Sequence, residues 1–208
     1  MHAPRSRCGI LLAGGASIRF GGTPKGLVPL GALRLADYPL QALEAVCDEV
    51  IIAANDPAAS EWFPLHRVVR DQTPGLGALG ALVTALLASR GRTTVVCAWD
   101  MPFVKSELLE ALATAVERGA TCCIPRHADG QLEPLCAAYA ASCAALSSTL
   151  LASGERAAHA LAAACGGERW PIPASTPDSG ETHSFFNVNT PADLALAAAR
   201  LARNLNHP

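Results

Sequence analysis

The sequence predicts an α/β fold, a three-layer sandwich with a mostly parallel central sheet. Short apolar runs alternate with segments of helical periodicity from Cys8 to Pro125. Such alternation means parallel strands joined by right-handed crossovers, with helices on both faces of the sheet. The 208 residues, 50% hydrophobic and 16% charged, suit a single packed domain over 1–208 with no linker and no internal repeat.

The elements follow in chain order. Cys8-Gly-Ile-Leu-Leu-Ala13 is a short apolar run stopped by Gly14-Gly15, which reads as a buried strand. The segment 14–26 holds five glycines and Pro24 and reads as a loop. A helix is expected over 40–47, behind Tyr38-Pro39. Strands are expected at 49–54, stopped by Asn55-Asp56-Pro57, and at 66–70, ending at Asp71. A helix with a glycine-rich start covers 77–89, and Thr93-Thr-Val-Val-Cys-Ala98 is the cleanest buried strand. Ser106 is the expected N-cap of a helix through Arg118. Strands are then expected at 121–125, 132–139 and 169–173, and helices at 141–151 and 155–165. The segment 171–182 reads as a loop and 185–189 as a last short strand. Thr190 caps a closing helix that begins at Pro191.

Composition excludes some partners. Formal net charge is −2 and there is no run of Lys or Arg, so nucleic acid is not an expected partner. No stretch approaches the roughly 18 apolar residues of a membrane span. Eight cysteines include no C-x-x-C pair and sit mostly in apolar runs, as free thiols of a reducing compartment do. The protein is therefore expected in the cytoplasm.

Ligands of parallel sheets bind beyond the carboxyl ends of the strands. Four groups of residues stand there. In Leu12-Ala-Gly-Gly…Arg19…Lys25-Gly26 a strand runs into a glycine-rich loop carrying two cations. Backbone N–H groups of such a loop surround an anion, and Arg19 and Lys25 suit the charge of a triphosphate. The alternative is a surface loop with two solvated cations. The loop is not a Walker A loop, because Gly26 follows Lys25, and it is not a dinucleotide fingerprint. Asp100 directly follows a strand and precedes Met101-Pro102; a carboxylate there suits Mg²⁺, which takes one or two carboxylates plus phosphate and water. The alternative is a turn or capping aspartate. Asp71 precedes a second glycine-rich turn, where it is expected to accept hydrogen bonds from a base or ribose or to touch the metal; the alternative is that the glycines only let the helix pack on the sheet. Asn187 and Asn189 flank Val188 and are expected on one strand face, where two amides suit an acceptor substrate; capping of the last helix is the alternative.

Together these motifs resemble the MobA family of molybdenum cofactor guanylyltransferases. The resemblance runs from Cys8 to about Arg200. It rests on Leu12-Ala-Gly-Gly…Arg19-x-Gly-Gly-x-x-Lys25-Gly-Leu, Asp71…Pro74-Gly-x-Gly-x-Leu-Gly, Asp100-Met-Pro, Glu133-Pro-Leu…Tyr139 and Asn187-Val-Asn-Thr-Pro. It implies a Rossmann-like nucleotidyltransferase that joins GMP from Mg-GTP to molybdopterin carrying molybdenum and releases pyrophosphate. It implies nucleotide binding by Leu12, Ala13, Gly14, Gly15, Lys25, Asn55, Asp71 and Asp100. Catalytic roles would fall to Arg19, Lys25 and Asp100, with Mg²⁺ on Asp100 and the acceptor at Asn187 and Asn189. It also implies partners that deliver or accept the cofactor.

Two departures touch base recognition: Ala53 stands where the family usually carries Ser or Asn, and Gly77-Ala-Leu-Gly-Ala81 stands for a G-P-L-x-G turn. Guanine over cytosine then rests mainly on Leu12-Ala-Gly14-Gly15. The alternatives are a molybdopterin cytidylyltransferase, a sugar-phosphate nucleotidyltransferase, or a nucleotide-binding module without catalysis.

Overall fold

The computed structural model describes residues 7–14, 20–71, 73, 75–90, 92–127, 129–171 and 184–205. Its centre is a seven-stranded sheet in the order β5-β4-β1-β6-β8-β7-β9. The strands are β1 (Arg7–Leu12), β4 (Glu49–Ala53), β5 (Arg67–Val69), β6 (Thr93–Ala98), β7 (Cys122–Arg126), β8 (Cys136–Tyr139) and β9 (Glu168–Pro171). β1 pairs in parallel with both β4 and β6, and β4 with β5. β8 runs antiparallel to β6 and to β7, and β7 is parallel to β9. Only β8 is therefore reversed.

Every residue of β1 is buried. Alternate side chains serve opposite faces, as the two-residue period of a strand requires. Leu11 packs on one face with Leu40 and Leu43 of α1 (Asp37–Glu44) and Leu109 and Leu112 of α4 (Ser106–Glu117). Ile10 and Leu12 pack on the other with Leu79, Leu82 and Leu86 of α3 (Gly77–Ala88) and Leu161 of α6 (Ala158–Cys165). Each such buried side chain stabilises the fold by about 1.5–3 kcal/mol. The remaining helices are α2 (Ala59–Trp62), α5 (Cys143–Ala152) and α7 (Pro191–Leu205). A third, small core joins Val28, Leu30, Leu35, Val188 and Ala197.

Arg7 closes the amino end of β1. Its guanidinium is 1% exposed. It donates to both carboxylate oxygens of Glu117 (2.6 and 2.7 Å) and to both of Glu110. Its backbone N–H reaches Asp48 at 2.8 Å. The Glu117 hydrogen bonds hold the guanidinium protonated even more firmly than usual.

Several expectations are corrected. The segment 185–189 is not a strand: the Val188 N–H donates to the Asp100 carbonyl (2.9 Å) and the segment stays outside the sheet. The strand expected over 132–139 shortens to Cys136–Tyr139, because Pro134 has no N–H to give and the Cys136 N–H turns back to Glu133 (3.0 Å). Lys105, not Ser106, is the capping residue of α4, and Ser106 is its first helical residue. α6 begins at Ala158 because Glu155 Oε1 takes the N–H groups of Arg156 and Ala157 instead of entering the helix. Those bonds, that from Ala157 first, lower the Glu155 carboxyl below its usual range. A hairpin of β2 (Pro29–Leu30) and β3 (Leu33–Arg34), turning at Gly31 with φ of 63°, has no counterpart in the sequence reading. β9 takes the place of the strand expected over 169–173, of which 172 and 173 lie outside the described residues; so does most of the loop expected over 171–182.

Candidate active site

A cavity of about 1000 Å³ opens at the carboxyl ends of β1, β4 and β6. Its lining includes Leu12, Gly14, Lys25, Asn55, Asp71, Asp100, Asn187 and Asn189, so eight residues singled out in the sequence share one space. Ala13 is turned into the core at 3% exposure, and its N–H is tied to the Ala53 carbonyl at 2.8 Å. Among the described residues, a Cβ on Gly14 would meet no atom within 4 Å. Gly15 and Arg19 lie outside the described residues.

Lys25 begins a 3₁₀ turn, Lys25–Leu27, behind Pro24. The turn is anchored by the Ala36 N–H on the Gly26 carbonyl (2.9 Å) and the Val28 N–H on the Lys25 carbonyl (3.2 Å). Gly26 is required by close approach: a Cβ there would fall inside the indole of Trp99, which is 2% exposed and stacked on Trp62 at 6.5 Å. The turn sends the Lys25 ammonium to Asp100 Oδ2 and, at 3.1 Å, to Asn189 Oδ1.

Asp100 is 7% exposed and holds two partners at once. Its carbonyl fixes Val188, which is fully buried in the small core between Asn187 and Asn189. Its carboxylate takes Lys25 on one oxygen, while the other, Oδ1, is buried with no hydrogen-bond partner among the described residues. A buried carboxylate oxygen without a donor suits a cation. Among the described residues no three His, Cys, Asp or Glu side chains converge on a metal site. The donor set therefore fits an ion that binds one carboxylate and completes its shell with phosphate oxygens and water, as Mg²⁺ does.

Asn189 and Asn187 both reach the cavity, though no strand face puts them there. The Asn189 and Thr190 N–H groups donate to Asp193 Oδ2 at 2.9 and 2.8 Å, and the Asp193 N–H returns to Thr190 Oγ1 at 3.2 Å. This reciprocal cap fixes the start of α7 and with it the Asn189 side chain. Asn187 Nδ2 donates to the Phe185 carbonyl at 3.2 Å.

Asn55 and Asp71 act as one unit on the other wall. Asn55 Nδ2 donates to Asp71 Oδ2 (2.9 Å), and Asn55 Oδ1 accepts the Asp71 N–H (2.9 Å). Thr84 Oγ1 of α3 donates to Asp71 Oδ1 at 2.6 Å. The Asn55 amide thus orients Asp71. Gly77, with φ of 69°, opens α3 where a Cβ would stand 2.9 Å from the Arg156 carbonyl oxygen.

Sequence reasoning missed part of the lining. Trp99, Leu132, Glu133 and Pro134 lie there, together with Ala157 and His159 at the start of α6. The Glu133-Pro-Leu motif was the one available signal. Glu133 Oε1 bonds His127 Nε2 at 2.7 Å, and the Tyr139 hydroxyl holds the Pro134 carbonyl at 2.8 Å. No local signal marks His159, which sits in an alanine-rich helix.

The sheet, its crossovers and a cavity of about 1000 Å³ holding a Lys–Asp pair at the strand ends suit a nucleotidyltransferase. Residues 9–169 match the family described as MobA-like NTP transferase domain, and the chain belongs to that family. A probable molybdenum cofactor guanylyltransferase of Chloroflexus aggregans is 36% identical over 93% of this chain and 94% of its own length. A molybdenum cofactor guanylyltransferase of Cereibacter sphaeroides is 34% identical over 94% and 97%. The crystal structure of molybdopterin-guanine dinucleotide biosynthesis protein A from Archaeoglobus fulgidus superposes with a TM-score of 0.78 at 29% identity, covering 94% of this chain and 99% of that one. MobA-like nucleotidyltransferases are generally divalent-metal dependent. No helix among the described residues is long and apolar enough to cross a membrane.

Proposed function

We propose that the chain transfers GMP from Mg-GTP to molybdopterin carrying molybdenum, giving the guanine dinucleotide cofactor and pyrophosphate. The observation that carries this reading is the meeting of Lys25, Asp100 and Asn189, which joins a nucleotide wall built from β1, β4 and α3 to an acceptor wall built from the segment before α7. The relatives' names supply the guanylyl group and the cofactor.

An oxygen of the acceptor's phosphate attacks the α-phosphorus of GTP. The bond to the β-phosphate breaks, and pyrophosphate leaves. Asp100 would hold Mg²⁺, which when bound would neutralise charge at the α-phosphate and the leaving group. Lys25 moves its ammonium from Asp100 to those oxygens as negative charge builds there. Arg19 joins it from the glycine loop, whose Gly14 and Gly15 amides hold the phosphates. Asp71, oriented by Asn55 and Thr84, accepts from the nucleoside. Asn187 and Asn189 orient the acceptor. Guanine selection rests on Leu12-Ala-Gly14-Gly15. A cytoplasmic setting belongs to this reading, since all eight cysteines are free thiols.

Pyrophosphate release with GTP or CTP, with and without molybdopterin, tests it. Release that requires GTP and molybdopterin together is expected. Release with CTP alone overturns the guanylyl assignment, and no release with either nucleotide overturns transfer itself.

A further inference from the structure

The central cavity leaves one chemically reactive cluster unused. Cys143 is the first residue of α5 and Cys165 the last of α6. Their sulfurs are 3.2 Å apart across 22 residues of sequence. Cys143 is 2% exposed, whereas Cys165 is half-buried and reachable from solvent. The other wall of this pocket is Thr121. Its carbonyl accepts from Cys143 Sγ at 3.1 Å, and its hydroxyl donates to the Cys165 carbonyl at 2.9 Å.

We propose that Cys143 and Cys165 are a redox-modification site that peroxide closes into a reversible disulfide. The sulfurs must approach from 3.2 Å to a bond of about 2.05 Å. Both cysteines stand at helix ends, where a shift of this size is least resisted. Gly166, in the left-handed region with φ of 61°, releases the chain directly after Cys165.

The steps balance. The Cys165 thiol gives up its proton and the thiolate attacks one oxygen of hydrogen peroxide; the O–O bond breaks, leaving a sulfenic acid on Cys165 and hydroxide, which takes that proton and leaves as one water. The Cys143 thiolate then attacks Cys165 Sγ. The S–S bond forms, the S–O bond breaks, and hydroxide leaves as a second water with the proton from Cys143. The two thiols lose two electrons together and peroxide gains them.

Cys143 is suited to the second step. Its sulfur already stands 3.2 Å from Cys165 Sγ, and it opens α5, where a helix N-terminus favours the thiolate. Cys8 and Cys47 differ: burial pushes them up to about 11 and about 12.

Peptide mapping of the whole protein after peroxide treatment reads this directly. Trypsin places Cys143 in the peptide 127–156 and Cys165 in 157–169, and cleavage after Tyr139 separates Cys143 from Cys136. The expected result is one cross-link, Cys143 to Cys165, with loss of two hydrogens, abolished by dithiothreitol. Cys143→Ser removes the resolving thiol and is expected to leave a dimedone-reactive sulfenic acid on Cys165. The proposal is overturned if both thiols of the peroxide-treated protein still alkylate fully. It is also overturned if the link formed is to the neighbouring Cys122, or if Cys143→Ser gives no dimedone adduct at Cys165.

Discussion

The Lys25 ammonium and the Asp100 carboxylate are ion-paired in the floor of the cavity, with side-chain exposures of 14% and 10%. They come from a loop turn and a strand end 75 residues apart. Under the proposed function the Lys25 ammonium leaves Asp100 Oδ2 for a phosphate, while the second oxygen, Oδ1, takes the metal ion. Losing either therefore affects chemistry more than fold.

Asp100→Asn keeps the shape and removes the charge. Mg²⁺ affinity and turnover should both collapse, while the fold survives. Turnover at the parent level with ordinary Mg²⁺ would remove Asp100 from the metal site.

Lys25→Ala should lower turnover by about 10²–10³-fold, or roughly 3–4 kcal/mol of transition-state stabilisation. Binding of GTP should weaken less, because the ammonium meets more charge in the transition state than in the ground state. Lys25→Met controls for the aliphatic stem. Steady-state kinetics decide it: a raised Michaelis constant with unchanged turnover makes Lys25 a binding residue only.

GTP should outcompete CTP. Direct affinity measurements on the Mg²⁺ form check this, and a preference for CTP would leave nucleotidyl transfer standing while refuting guanine selection.

Gly26→Ala should destabilise the protein by about 1–3 kcal/mol, since the new Cβ overlaps a buried indole that Trp62 backs. Trp99→Leu in the same chain should recover part of that loss. Urea denaturation of the two variants is the measurement; a Gly26→Ala protein as stable as its parent would mean the indole moves freely.

Arg7→Met should cost about 2–3 kcal/mol. It strands two glutamates whose own partial exposure, 33% and 34%, screens some of the penalty. Arg7 sits at the amino end of β1, opposite the cavity, so Michaelis constants should not change. A shift in GTP affinity would show that the two ends of the sheet communicate.

What could be read in the sequence follows the range of each signal. β1 and β6 are continuous apolar runs, and the residue types that follow them, Gly14 and Asp100, carry meaning within a few positions. The apolar pattern therefore located both the sheet and the mouth of the cavity. Asn187 and Asn189 were matched to the cavity for the wrong local reason: a strand was expected, whereas a single bond from Val188 to Asp100 and a cap from Asp193 hold them. Trp99 packing on Gly26, His159 entering from α6 and Arg7 clamped by α4 depend on side chains distant in sequence. Hydrophobic periodicity has no access to such pairings.

Asp100 divides its work between main chain and side chain, and only the second is open to substitution. Its carbonyl holds Val188 whatever the side chain is. An Asp100→Asn protein should thus keep the acceptor wall docked while it cannot complete the reaction. Such a protein would be an idling scaffold, able to gather nucleotide and acceptor without consuming them. That makes it the natural form in which to capture the two substrates side by side.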